Sequence, residues 1–169
     1  MKYEFPSLFN DSIVVGSYHS KDGKHRYWLT RQWNEKPFAL CIGLNPSTAN
    51  ALKDDPTIRL LKRLLKPLGF GGFYMVNLFS LISSKPEVLR DYRTEDIMFD
   101  NQKIKDVAGW TTVTIFCWGA FEEAKPRVEA MKKMFPDAMC FGKNQDGSPW
   151  HPRAMAYMKG FVPKKLIKF

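Results

Sequence analysis

Four short apolar runs separated by helical patterns constrain the fold more than any other feature of this chain. Phe38-Ala39-Leu40-Cys41-Ile42-Gly43-Leu44, Phe73-Tyr74-Met75-Val76-Asn77-Leu78 and Thr112-Val113-Thr114-Ile115-Phe116-Cys117-Trp118 are apolar at consecutive positions, and Ala138-Met139-Cys140-Phe141 is a weaker fourth. A strand wetted on one side alternates polar and apolar residues. A continuous run therefore predicts a strand covered on both faces, as in a parallel sheet.

The intervening segments read as helices. Asp55 can cap a helix that has Pro56 at its first position, with Ile58, Leu60, Leu61, Leu64, Leu65 and Leu68 giving the apolar face and Lys62, Arg63 and Lys66 largely opposite. Residues 95–108 form a less regular second helix, and residues 121–135 a third that Pro126 either starts or kinks. Ahead of these, residues 12–33 read as a β-hairpin about a turn containing Asp22-Gly23. The expected architecture is a single three-layer α/β domain over residues 1–169, with a central, mainly parallel four-stranded sheet preceded by the hairpin.

Composition narrows the class. Hydrophobic residues at 44% and charged residues at 25% describe a globular chain, which argues against disorder and against a disulfide miniprotein. The cysteines Cys41, Cys117 and Cys140 lack Cys-x-x-Cys spacing, so buried thiols are expected and no metal or other cofactor is indicated. No apolar run approaches the ~18 residues of a membrane span, and the start lacks a secretory signal. A cytoplasmic location, no membrane partner and a monomer are expected. The 26 Lys and Arg against 17 Asp and Glu leave a net charge of +9, which points to a polyanionic partner such as nucleic acid.

In an open parallel sheet, ligands bind beyond the carboxyl ends of the strands. Those ends carry Gly43-Leu44-Asn45-Pro46-Ser47-Thr48, then Asp54-Asp55-Pro56-Thr57 with Arg59; Asn77 and Phe79; Trp118-Gly119; and Lys143 through His151-Pro152-Arg153. Each alone can be explained structurally, Asn45-Pro46-Ser47 as a turn, Asp55 as a helix cap and His151-Pro152 as a surface turn. Amide, hydroxyl, carboxylate and imidazole groups on all four loops together suggest a site. His19 and His25 flank the hairpin turn at no metal-binding spacing and are expected to be solvent-exposed.

Taken in order, Gly-Leu-Asn-Pro-Ser-Thr-Ala, Asp-Asp-Pro-Thr-x-Arg, Val-Asn-Leu-Phe, Trp-Gly-Ala and Asp-Gly-x-Pro-x-His-Pro resemble the domain of unknown function (DUF) family 1643, over about residues 12–153. That family name carries no activity. More distantly, the order is similar to the uracil-DNA glycosylase superfamily. There a Gly-x-x-Pro loop follows the first strand, Asn the second, Trp-Gly can follow the third, and His-Pro follows the fourth. Here Gly43-x-x-Pro46, Asn77, Trp118-Gly119 and His151-Pro152 occupy those places, and Gly43-Leu44-Asn45-Pro46 matches the Gly-x-Asn-Pro of the mismatch-specific branch.

The resemblance implies a metal-free enzyme that flips a base from DNA and hydrolyses its N-glycosidic bond. In that reading Asn45 positions water, Asp54 or Asp55 supplies negative charge to the oxocarbenium-like sugar, and His151 stabilises the departing base. Asn77 reads the base edge. Phe70, Phe79 and Trp118 are candidates to stack on it, although each also suits a core. Arg153 would meet phosphate, with Met155 as an apolar wedge. Lys143, Lys159, Lys164 and Lys165 belong to a basic segment whose end, residues 160–169, either packs on the domain or extends the DNA surface.

Two departures affect the substrate. Ser47 replaces the small Gly of the mismatch-specific branch, and Asp54-Asp55-Pro56-Thr57 with Arg59 has no counterpart in ordinary uracil glycosylases. These departures count against uracil itself and make a modified pyrimidine, including a phage-modified one, or a free nucleotide the expected substrate. The alternative from another class is a non-catalytic DNA-binding protein on the same scaffold, serving as a phage or defence factor.

Overall fold

The computed structural model describes residues 14–47, 49–158 and 163–169. Its strands are β1 (Val14–His19), β2 (Arg26–Gln32), β3 (Phe38–Gly43), β4 (Gly72–Asn77), β5 (Val113–Phe116), β6 (Met139–Cys140) and β7 (Ile167–Lys168). They form one mixed seven-stranded sheet in the order β1-β2-β4-β3-β5-β6-β7. The four apolar runs do pair in parallel, as β4-β3-β5-β6. The expected four-stranded sheet preceded by a hairpin is nevertheless corrected. β2 pairs antiparallel with β4, which draws the hairpin into the sheet, and β7 pairs antiparallel with β6. A parallel array ending at β4 and β6 would leave two rows of unpaired backbone groups, and these added strands satisfy them.

The hairpin turns where Asp22-Gly23 predicted, with Gly23 at φ 72° and the Gly23 amide donating to the Ser20 carbonyl. Ser12 and Ile13, assigned to its first strand, lie outside the described residues.

Helix α1 (Pro56–Leu65) starts at its Asp55 cap and buries Ile58, Leu61, Leu64 and Leu65. Helix α2 (Thr94–Ala108) matches the second helical pattern. The third pattern divides into a 3-10 turn at Glu122–Ala124 and helix α3 (Lys125–Met134), so Pro126 starts a helix rather than kinking one. A short α4 (Pro152–Ala156) follows His151.

Alternation along β3 sorts the layers. Ala39 and Cys41 face α1 and Met155 of α4, whereas Leu40 and Ile42 face Ile104 and Val107 of α2 and Met131 of α3. The three cysteines are free and buried, as expected. No helix among the described residues is long and apolar enough to cross a membrane.

The sheet order positions the site. From β3 the chain passes through α1 to β4 on one side, while β5 pairs on the other side of β3. Chain order therefore reverses between β3 and β5, the place at which open α/β sheets form their ligand crevice, at the carboxyl ends of the strands. Ladder bonds continue past the strand ends, with the Leu78 amide donating to the Gly43 carbonyl at 2.9 Å, Phe79 to Leu44 at 3.0 Å and Cys117 to Ile42 at 2.9 Å.

Candidate functional site

Asn77 is the last residue of β4 and is 3% exposed. Neither Oδ1 nor Nδ2 of its side chain has a hydrogen-bond partner among the described residues. A buried amide left this way costs about 1–3 kcal/mol, so it is an unusual feature in a domain interior. Gly43, on the neighbouring strand, makes room for it: a Cβ there would lie 2.9 Å from Asn77 Oδ1.

The β3–α1 loop runs beside the chain that leaves β4. Asn45 donates from Nδ2 to the Ser83 carbonyl at 2.8 Å and more weakly to those of Pro46 and Leu81. This fixes the amide orientation and leaves Oδ1 as its acceptor. Pro46 is buried, and its carbonyl accepts from the Ser83 amide at 3.0 Å. Ser47 Oγ donates to Asp55 Oδ2 at 2.8 Å, while Asp55 Oδ1 accepts the Ile58 amide at the start of α1, also at 2.8 Å. Thr48 lies outside the described residues.

His151 arrives from the fourth loop as the cap of α4. Its Nδ1 accepts the Arg153 amide at 3.2 Å, so in the neutral ring the proton sits on Nε2, which becomes a donor. Burial, with a contribution from the Arg153 charge, holds its pKa down at about 4, and the Asp55 carboxylate pulls the other way. The imidazole is thus a neutral donor throughout the physiological range. Pro152 is buried at the first turn of α4. Gly119, at φ 84°, passes beside His151, where an added Cβ would approach the histidine Cβ to 3.0 Å.

Phe121 is 39% exposed and meets the His151 ring edge-on, with centroids 6.5 Å apart. It is an accessible aromatic at this end of the sheet that the sequence reading missed. Its signal was position alone, three residues beyond Trp118 on a loop already implicated.

Several expected residues are placed elsewhere. Trp118 is fully buried against Phe116 and Phe169, and Phe79 is buried against Tyr92. Neither can stack on an incoming base in this arrangement, and Phe70 packs on the α1 core cluster. Met155 is also fully buried, because Pro152 and Met155, three apart on α4, share the face turned to the core. It cannot act as a wedge, whereas Tyr157 and Met158 just beyond are exposed.

Asp54 holds Arg31 Nε at 2.7 Å and Lys62 at 3.4 Å, and Arg59 donates to the Asp54 carbonyl at 2.7 Å. These groups brace the loop from behind. Two arginines of β2 that sequence reading did not single out complete the brace. Arg26 donates to the Ala49 carbonyl and Arg31 to the Asn50 carbonyl, each at 2.7 Å. Burial pushes the Arg26 pKa down to about 10, against the opposing pull of Asp55.

The histidines of the hairpin are corrected too. His19 and His25 are half-buried rather than exposed, and His25 is covered by the chain that leaves β4, pairing with Leu81. His25 Nδ1 bonds Ser80 Oγ at 2.8 Å, and His19 Nε2 bonds Ser17 Oγ at 3.1 Å. Among the described residues, no group of three or more His, Cys, Asp or Glu side chains could hold a metal ion.

The basic segment divides. Lys143 donates to the Phe169 carbonyl at 3.0 Å, and Lys168 pairs with Asp137 at 3.2 Å. Arg153, Lys164 and Lys165 are exposed. The antiparallel register, Cys140 opposite Ile167, directs Lys164 and Lys165 toward the carboxyl end of β6. Lys159 lies outside the described residues.

Against known families, residues 26–153 match DUF1643, described as a protein of unknown function, and the chain belongs to that family. No curated protein and no solved structure matches the chain.

Proposed function

We propose that this DUF1643 chain is a cytoplasmic, monomeric DNA glycosylase-like enzyme that flips a damaged or modified base, a phage-modified pyrimidine among them, and hydrolyses its N-glycosidic bond. The observation that carries the reading is the Asn77 amide, buried without a partner at the carboxyl end of the sheet. A base whose edge presents one acceptor and one donor would satisfy both halves of that amide.

The other groups then have defined tasks. Asn45 Oδ1 accepts a hydrogen from water and aims its oxygen at C1′ of the sugar. As the bond between C1′ and the base nitrogen breaks, the base leaves with the electron pair, and the Nε2 proton of neutral His151 hydrogen-bonds the developing anion. Asp55 provides negative charge to the oxocarbenium-like sugar. The water oxygen bonds C1′ and its released proton passes to solvent. Arg153, Lys164 and Lys165 neutralise phosphates, a role that the net charge of +9 supports.

Mass spectrometry of bases released from a panel of natural, uracil-containing and phage-modified DNAs tests the proposal, with His151→Ala as the control. Release of one base class that disappears with His151→Ala is the expected result. DNA that is bound yet left intact across the panel would overturn the catalytic reading.

A second reading, DNA binding without chemistry, is favoured by one observation. Both Asp55 oxygens are already bonded, to the Ile58 amide and to Ser47 Oγ. It expects His151→Ala to leave DNA affinity and biological function intact.

A further inference from the structure

We propose that the cleft between the hairpin and α2 is a second binding site, which takes a nucleobase bearing a phosphate. The cleft encloses about 670 Å³, within the range of small-ligand sites. Tyr18, Tyr27 and Phe99 give it an aromatic floor, and Ser17, Lys21 and Asn50 stand among its polar lining. It is separate from the Asn77 and His151 crevice, although both use the same loop: Ser47 and Asp55 bond each other in the crevice, and Asn50–Leu52 between them form a wall of the cleft.

Ring and charge chemistry identify the ligand class. The Tyr18 and Tyr27 centroids are 5.2 Å apart with the rings inclined at 49°, and those of Tyr27 and Phe99 are 5.0 Å apart at 63°. Phe99 remains 46% exposed, an apolar ring presented to the cleft instead of withdrawn into the core. Such a surface stacks any planar base, with little sequence preference. Lys103 Nζ stands 5.1 Å from the Phe99 centroid and 5.8 Å from that of Tyr18. Lys103 Nζ, 3.8 Å from Asp106 Oδ2, thus lies over two of the rings, and with Lys21 on the lining it supplies positive charge to the phosphate of a stacked nucleotide. A purely apolar ligand would gain nothing from these lysines.

The wall is built to stay in place. Arg26 and Arg31, each 2% exposed, hold the Ala49 and Asn50 carbonyls from beneath. The ligand could come from solution as a free nucleotide or from single-stranded DNA. The recognised chemistry is the same, and neither source depends on base excision in the crevice.

Titration calorimetry with deoxythymidine monophosphate and with a short oligodeoxythymidylate tests the site. Binding of at least one, weakened about tenfold by Phe99→Ala and restored by Phe99→Trp, is expected. Thymidine without phosphate should bind more weakly than the monophosphate, and Lys103→Ala should remove that difference. Saturable monophosphate binding identifies a nucleotide site, and binding confined to the oligomer identifies a strand site. Two results would overturn the proposal. One is no binding of either ligand, and the other is binding that survives Phe99→Ala but is lost in Asn77→Leu, which would place the ligand in the crevice.

Discussion

Two buried polar positions leave β4 only three residues apart, and they are built on opposite terms. At Ser80 every group finds a partner. Its amide donates to Asp100 Oδ2 at 2.9 Å, its hydroxyl meets His25 Nδ1 at 2.8 Å and Tyr92 OH at 3.0 Å, and its carbonyl accepts the Arg26 amide at 2.9 Å. Tyr92 OH donates to the same Asp100 oxygen at 2.7 Å. At Asn77 the amide finds none. A polar cluster that is complete within the chain is accounted for by folding. Among the described residues, Asn77 is incomplete at both side-chain atoms, whereas the buried Arg26 and Arg127 each lack a partner only at Nε, and under our proposal a ligand completes Asn77.

The largest effect is expected on the completed side. Asp100 is buried, and burial raises its carboxyl pKa while the bonds from Ser80 and Tyr92 and the charge of Arg127 pull it back. Asp100→Ala would strand the Ser80 amide, take the carboxylate acceptor from the Tyr92 hydroxyl and remove a negative charge near Arg127, so urea unfolding should report a loss of about 2–4 kcal/mol. A loss no larger than a surface substitution would erase the contrast with Asn77.

Asn77→Leu is the converse experiment. A similar volume without polar atoms removes the unmet hydrogen bonds, so stability should stay level or rise by about 1 kcal/mol. Base release should nevertheless fall on the order of 100-fold, because the recognition contacts vanish. A destabilised Asn77→Leu would mean that the amide has a structural partner after all.

Much of this fold was legible because burial on both faces leaves continuous apolar runs, and β3 to β6 follow those runs closely. What escaped was decided by pairing between distant segments. The tail around Ile167 reads as a basic end, and only its bonds to β6 make it a strand. Within the site, the loop residues were legible by type and order, but not by solvent exposure. Trp118, Phe79 and Met155 have the right chemistry and face inward, while Phe121 is exposed beside His151. Arg26 was invisible for another reason, since nothing local distinguishes a buried arginine from a wet one on a hairpin strand.

A smaller effect on the open side concerns pH. In the folded chain His151 is held neutral, with a pKa of about 4 against an ordinary value of 6.5. Between those values the unfolded chain binds a proton that the folded chain refuses, so stability should fall as pH drops from about 6.5 toward 4. His151→Gln should flatten that part of the profile in thermal unfolding. An unchanged slope would place the imidazole in solvent and remove it as a neutral donor.

The mildest test asks whether the charge around the crevice is an address for DNA or a solubility device. Lys143 and Lys168 have partners inside the fold, whereas Arg153, Lys164 and Lys165 are exposed. If phosphates run past the His151 end of the sheet, each cation that meets one releases about one counterion on binding. Arg153→Ala, Lys164→Ala and Lys165→Ala should then each reduce the slope of log affinity against log salt by about 1, with the exposed Lys133→Ala on the last turn of α3 as the comparison. Equal slopes for all four variants would mean that the positive charge near the crevice is no closer to DNA than the charge on a helix flank. The unmet Asn77 amide would then call for a small molecule, such as a free nucleotide, in place of a base drawn from a duplex.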